Sequence, residues 1–138
     1  MNDRACGIVR ADRQQQEVGI LRKLLAENAS DAKLVKACVA HHKAYLNFRR
    51  SLRRLSVEDS RIRAARAESR LRQIDFLKRM SGAQADPARL ATVLLQLERL
   101  ADAIAEGELT DMGLPSTATE TRLAELIHEV RHPTLARS

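Results

Sequence analysis

The sequence predicts an all-α fold, an antiparallel helical bundle, and three observations carry that prediction. Ala, Leu, Arg, Glu and Gln are abundant while strand formers are few, Tyr45, Phe48 and Phe76 being the only aromatics, so the chain is rich in helix formers and poor in material for a sheet. Apolar residues recur in steps of three and four, the period of a helix with one buried face. The 44% apolar content of the 138 residues suffices for one core without disulfides or metals. A core of Leu, Ile, Val and Ala packs as interdigitated helical layers.

Periodicity and punctuation divide the chain into five helical segments. The first spans about Asp12 to Glu27, with Val18, Leu21 and Leu25 on one face. Ser30 then offers an N-cap for a long helix over about 31–55, whose seam Cys38, His41, Tyr45, Phe48, Leu52 and Leu55 has heptad spacing. Ser56-Val57-Glu58-Asp59 has the form of a capping box and predicts a tight turn. The helix that follows, about 57–80, carries a narrow seam of Ala64, Ala67, Leu71 and Ile74, and Gly82 supplies the left-handed residue that commonly follows a helix end. Asp86-Pro87 is the clearest start signal, opening a helix over 87–106 with the stripe Leu90, Leu94, Leu97, Ala101 and Ile104, closed by Gly107.

Residues 108–117, with Gly113 and Pro115, read as a linker, and 118–132 as a short amphipathic helix bearing Leu123, Leu126, Ile127 and Val130. The expected organisation is a helical bundle over 1–107, the linker, and this last helix, which can either pack on the bundle or bind a partner. No apolar leader opens the chain and no apolar run is long enough to span a bilayer. The two cysteines give neither a disulfide framework nor a zinc spacing, and a reducing cytoplasm is the expected location.

Charge is unevenly placed. Residues 49–79 hold eleven of the 24 basic residues and only Glu58, Asp59, Glu68 and Asp75 against them, a net +7, whereas the segment before sums to +3 and the segment after to −4. Ten of the eleven are arginine, the side chain that grips phosphate oxygens bidentately. Within the later helix, Asp59, Glu68 and Asp75 each stand four residues before Arg63, Arg72 and Arg79, the favourable orientation for intrahelical pairs. Arg49, Arg50, Arg53, Arg54, Arg66 and Arg70 lack such partners, and these six are the expected contacts to a nucleic-acid backbone or an acidic protein. With no aromatic among the arginines before Phe76, base stacking has little support and phosphate contact is the expected mode.

His128-Glu129-Val130-Arg131-His132 matches HExxH, in which two histidines one turn apart bind zinc and the glutamate activates water. Arg131 puts a cation beside that metal position and Pro133 stops the helix, so the motif is read as non-catalytic. A histidine on a four-helix scaffold can accept a phosphoryl group, but His41 and His42 are followed by Lys43, Ala44 and Tyr45 rather than by the lysine-glycine step of phosphotransfer domains, and His41 falls on the seam. No glycine-rich phosphate loop or nucleophile elbow is present. The expectation is therefore a non-enzymatic protein without metal or cofactor, binding nucleic acid through phosphates as a homo-oligomer or within a nucleoprotein complex. The competing expectation is a helical adaptor, chaperone or inhibitor whose basic face docks on an acidic protein.

Overall fold

The computed structural model describes residues 22–81 and 85–132, and every regular element among them is helical. Residues 22–26 are helical; residues 12–21 of the first predicted helix, and also Cys6, Gly82 and Pro133, lie outside the described residues. The helices that follow are α1 (Asp31–Ala44), α2 (Leu46–Glu58), α3 (Ser60–Ser81), α4 (Pro87–Glu106), α5 (Glu108–Asp111) and α6 (Thr117–Arg131). The fold is all-α, with α4 packed against each of the other five.

Helix ends fall where a side chain or glycine meets the orphan backbone groups. Ser30 Oγ accepts from the Lys33 N–H at 3.2 Å, and Asp86 Oδ1 accepts from the Ala88 N–H at 3.2 Å with Pro87 leading the helix. Gly107, at φ 77°, closes α4 in the left-handed conformation with its N–H on the Ala103 and Ile104 carbonyls.

The expected 31–55 and 57–80 helices are divided differently. The first is interrupted at Tyr45 (φ −111°, ψ 25°) and resumes as α2, which runs on to Glu58. Ser56 does not cap; its Oγ donates to the Leu52 carbonyl at 2.6 Å, the bond open to a serine inside a helix. The turn falls at Asp59, whose carboxylate can only accept and takes the Arg61 N–H at 2.9 Å.

Two apolar clusters make the core. One joins Ile74, Leu90, Val93, Leu126 and Val130, the other Val35, Val39 and Leu123, and Leu97 and Leu100 of α4 pack against both. Leu123 and Leu126 are fully buried, so α6 supplies the centre of the core rather than an appendage. The stretch before it holds the one-turn α5 and a turn at Gly113, φ 72°.

Three of the four residues of the seam expected on α3 face outward. Ile74 is buried, but Ala64 and Ala67 are exposed and Leu71 is 64% exposed. The inward side carries Ile62, Gln73, Phe76 and Leu77, all half-buried. Ile62, Phe76 and Leu77 offer more apolar surface to bury than Ala64, Ala67 and Leu71 do, and the choice turns Arg66 and Arg70 inward as well.

Candidate nucleic-acid interface

Across the arginine-rich hairpin of α2 and α3 stand Glu98, Asp102 and Glu106, spaced four apart on α4. Successive carboxylates on one helix face rise by about 6 Å, so the three form a ladder along the hairpin. Arg70 donates to Glu98 Oε2 through Nη2 at 2.8 Å and Nε at 3.2 Å. Arg49 donates to Asp102 through Nε at 2.7 Å and Nη2 at 3.3 Å. Arg50 Nε lies 3.3 Å from Glu106 Oε1, which Arg53 also reaches.

Asp102 is the deepest rung. Its side chain and that of Arg49 are 4% and 8% exposed, and His42 Nδ1 approaches Oδ1 at 2.7 Å. Burial pushes the Asp102 carboxyl up, but hydrogen bonds from His42 and Arg49 and the Arg49 charge outweigh it and hold the group well below the usual carboxylate range. An ionised carboxylate only accepts, so His42 Nδ1 carries the proton of that bond. His42 and Arg49 are seven residues apart, about 10 Å along a straight helix. Their donors converge on one oxygen, with the interruption at Tyr45 midway between them.

The six expected contacts therefore separate. Arg49 is buried, Arg53 and Arg70 are half-buried, and each is engaged by α4. Arg50 shares Glu106 but keeps 53% of its side chain exposed. Arg66 is half-buried, and desolvation together with the neighbouring Arg70 lowers its pKa from the ordinary arginine value. Arg54 alone of the six is exposed without a carboxylate partner among the described residues.

The intrahelical pairs expected to compensate Arg63, Arg72 and Arg79 are not formed. Asp59 pairs with Arg61, Arg79 Nε faces the Asp75 backbone carbonyl at 3.4 Å, and Arg63 and Arg72 are exposed with no carboxylate partner among the described residues. Exposed intrahelical pairs contribute only about 0.2–0.5 kcal/mol each, too little to fix long side chains. The acidic ladder is the feature that intrahelical reasoning missed, and its signal was present: three carboxylates at spacing four on the helix with the strongest core stripe.

HExxH is used as a clamp between α6 and the start of α1. His128 Nδ1 lies 3.3 Å from Asp31 Oδ2, Arg131 donates to Asp31 at 2.9 Å and to Asn28 at 2.7 Å, and Arg89 donates to Glu129 at 3.2 Å. Among the described residues no group of three His, Cys, Asp or Glu side chains could hold a metal ion, and no helix is long and apolar enough to cross a membrane.

Fold and site together define a small all-α bundle whose arginine-rich hairpin is cross-braced by three carboxylates of α4. No family model matches the chain, and no curated protein or solved structure was found to be similar to it.

Proposed function

We propose that the protein is a non-enzymatic helical binding module that holds nucleic acid by its phosphates through the outward side of the α2–α3 hairpin. The observation that carries this reading is the charge left after internal pairing. Against the net +7 of residues 49–79, the ladder's three carboxylates leave +4, and Arg54, Arg63 and Arg72 are exposed on the hairpin without carboxylate partners among the described residues. Arg50 joins them at the edge, because its side chain is 53% exposed and Arg53 also reaches Glu106, so Arg50 can turn to a phosphate without stranding that mostly buried carboxylate. Arg49 does not, since withdrawing it would strand a buried carboxylate at a cost of about 3–5 kcal/mol.

Homo-oligomeric assembly belongs to the same proposal. The outward strip of Ala64, Ala67 and Leu71 supports it, because small residues let two helices approach closely and Leu71 is 64% exposed. Pairing copies there would set two basic hairpins side by side and multiply a weak contact. The cytoplasm is the proposed location.

Binding to random-sequence duplex DNA and RNA across a salt series, with light scattering for mass, tests the reading. The expected result is sequence-independent binding whose logarithm falls linearly with the logarithm of salt, with a slope of about −3 to −4 for three or four phosphate contacts. Binding to neither polymer, with capture by an acidic protein surface instead, would favour the adaptor reading.

A further inference from the structure

A groove of about 650 Å³ runs between α1 and α6, and every residue that lines it belongs to those two helices. Val35 and Val39, each 7% exposed, form its floor. Ala32, Ala40 and Ala124 line it beside them and are small enough to let another helix approach closely. The two helices run antiparallel, because Arg131 at the end of α6 donates to Asp31 at the start of α1, and Leu123 packs on Val35 and Val39. Helices already meet their own backbone groups, so the groove offers an occupant no main-chain bonds, and a helix is the occupant that needs none. The walls differ in charge. Lys36 and Lys43 stand on the α1 side and Glu120 on the α6 side. All three are exposed, and none has an ion-pair partner among the described residues. Lys43 lies in the last turn of α1 and Glu120 in the first turn of α6, so antiparallel packing brings both to the same end of the groove.

We propose that a second copy of this chain packs on this groove, the two copies related by a two-fold axis that runs along it. That axis lays α1 of each copy over α6 of the other and keeps every residue at its own level along the groove. Lys43 of each copy therefore meets Glu120 of the other, the reciprocal contact that a two-fold interface requires. The facing helices are antiparallel too, so the four helices make an up-and-down bundle with Val35 and Val39 of both copies towards its middle. Lys36 stays at the rim, where its long stem can cover apolar surface while the ammonium remains in water. This face is separate from the strip at Leu71, and the pairing depends neither on that strip nor on nucleic-acid binding.

The test uses the full chain carrying Leu71→Glu, so that contact through the outward strip of α3 does not contribute. Light scattering from about 1 μM to 1 mM, the range of weak to moderate contacts, should show the mass rise from one chain to two. Adding Lys43→Glu or Glu120→Lys sets like charges against each other twice in the pair, and each should weaken pairing by at least about tenfold. Mixed in equal amounts, the two charge-reversed variants should pair with each other, because both contacts again join opposite charges. Ala40→Gln, which adds a longer uncharged side chain in the groove, should also weaken pairing. These positions are exposed, so the melting temperature of the dilute monomer should hardly change. A mass of one chain throughout, a mass above two, pairing that survives either charge reversal, or folded variants that fail to pair when mixed would each overturn the proposal. Should a charge-reversed variant not fold, undiminished pairing in Ala40→Gln overturns it alone.

Discussion

Removing the Asp102 carboxylate would leave Arg49 and His42 buried beside no anion, and a buried charge without its partner is far more costly than an exposed one. Asp102→Ala should therefore destabilise by about 3–5 kcal/mol in denaturant unfolding. Replacing both partners, as Arg49→Met with Asp102→Leu, should recover most of that loss, because a well-packed apolar pair often equals a buried ion pair. The pH dependence has a definite sign. The folded-state pKa of Asp102 is depressed, so its contribution is complete above the unfolded value of about 3.9 and is lost as pH falls through the folded value. The stability gap between the unsubstituted chain and Asp102→Asn should narrow as pH falls below about 4. A gap that widened in acid would mean that the carboxylate is not held ionised by Arg49 and His42. At this scale the arginines were legible as a cluster but not as individuals. Their partners lie 28 to 56 residues away on α4, and pairing reasoned within one helix does not reach them.

Elements were legible where a single residue fixes the backbone, and less so where faces compete. Asp86, Pro87 and Gly107 placed α4 at 87–106 because each has a local mechanism that no tertiary contact needs to support. On α3 two faces offered apolar spacing. Ala64, Ala67 and Leu71 satisfied the period, yet the helix turned Ile62, Phe76 and Leu77 inward, where burial returns more apolar area and Arg70 meets Glu98. Leu71→Ala should accordingly change the stability of the monomer by no more than about 0.5 kcal/mol, whereas Leu126→Ala, at a fully buried position, should cost about 2–5 kcal/mol. Gly107→Ala isolates backbone strain, since a Cβ there meets nothing within 4 Å at φ 77°. Chemical unfolding should show a loss of about 1–2 kcal/mol from the left-handed conformation alone.

For the molecule as a whole, the basic balance read from composition and the basic surface left after folding are different quantities. Charge counting along the chain gives +7 to residues 49–79, but folding lays a helix with three well-placed carboxylates against them, and the arginines divide into those that brace the bundle and those that face outward. The brace makes α4 a shared partner of the core and the hairpin, so losing it should weaken both. The proposed assembly through Leu71 should fail in Leu71→Glu without loss of the monomer's fold, which light scattering and thermal unfolding would show together. The division of the arginines is tested most directly by the salt dependence of duplex DNA binding in two variants. Arg63→Ala with Arg72→Ala should lower the magnitude of the salt slope by about two while leaving the melting temperature unchanged. Arg70→Ala should lower the melting temperature and leave the slope as it was. A slope that falls with Arg70→Ala and not with the Arg63, Arg72 pair would contradict the account, because the residues braced by α4 would then be the ones that hold the phosphates.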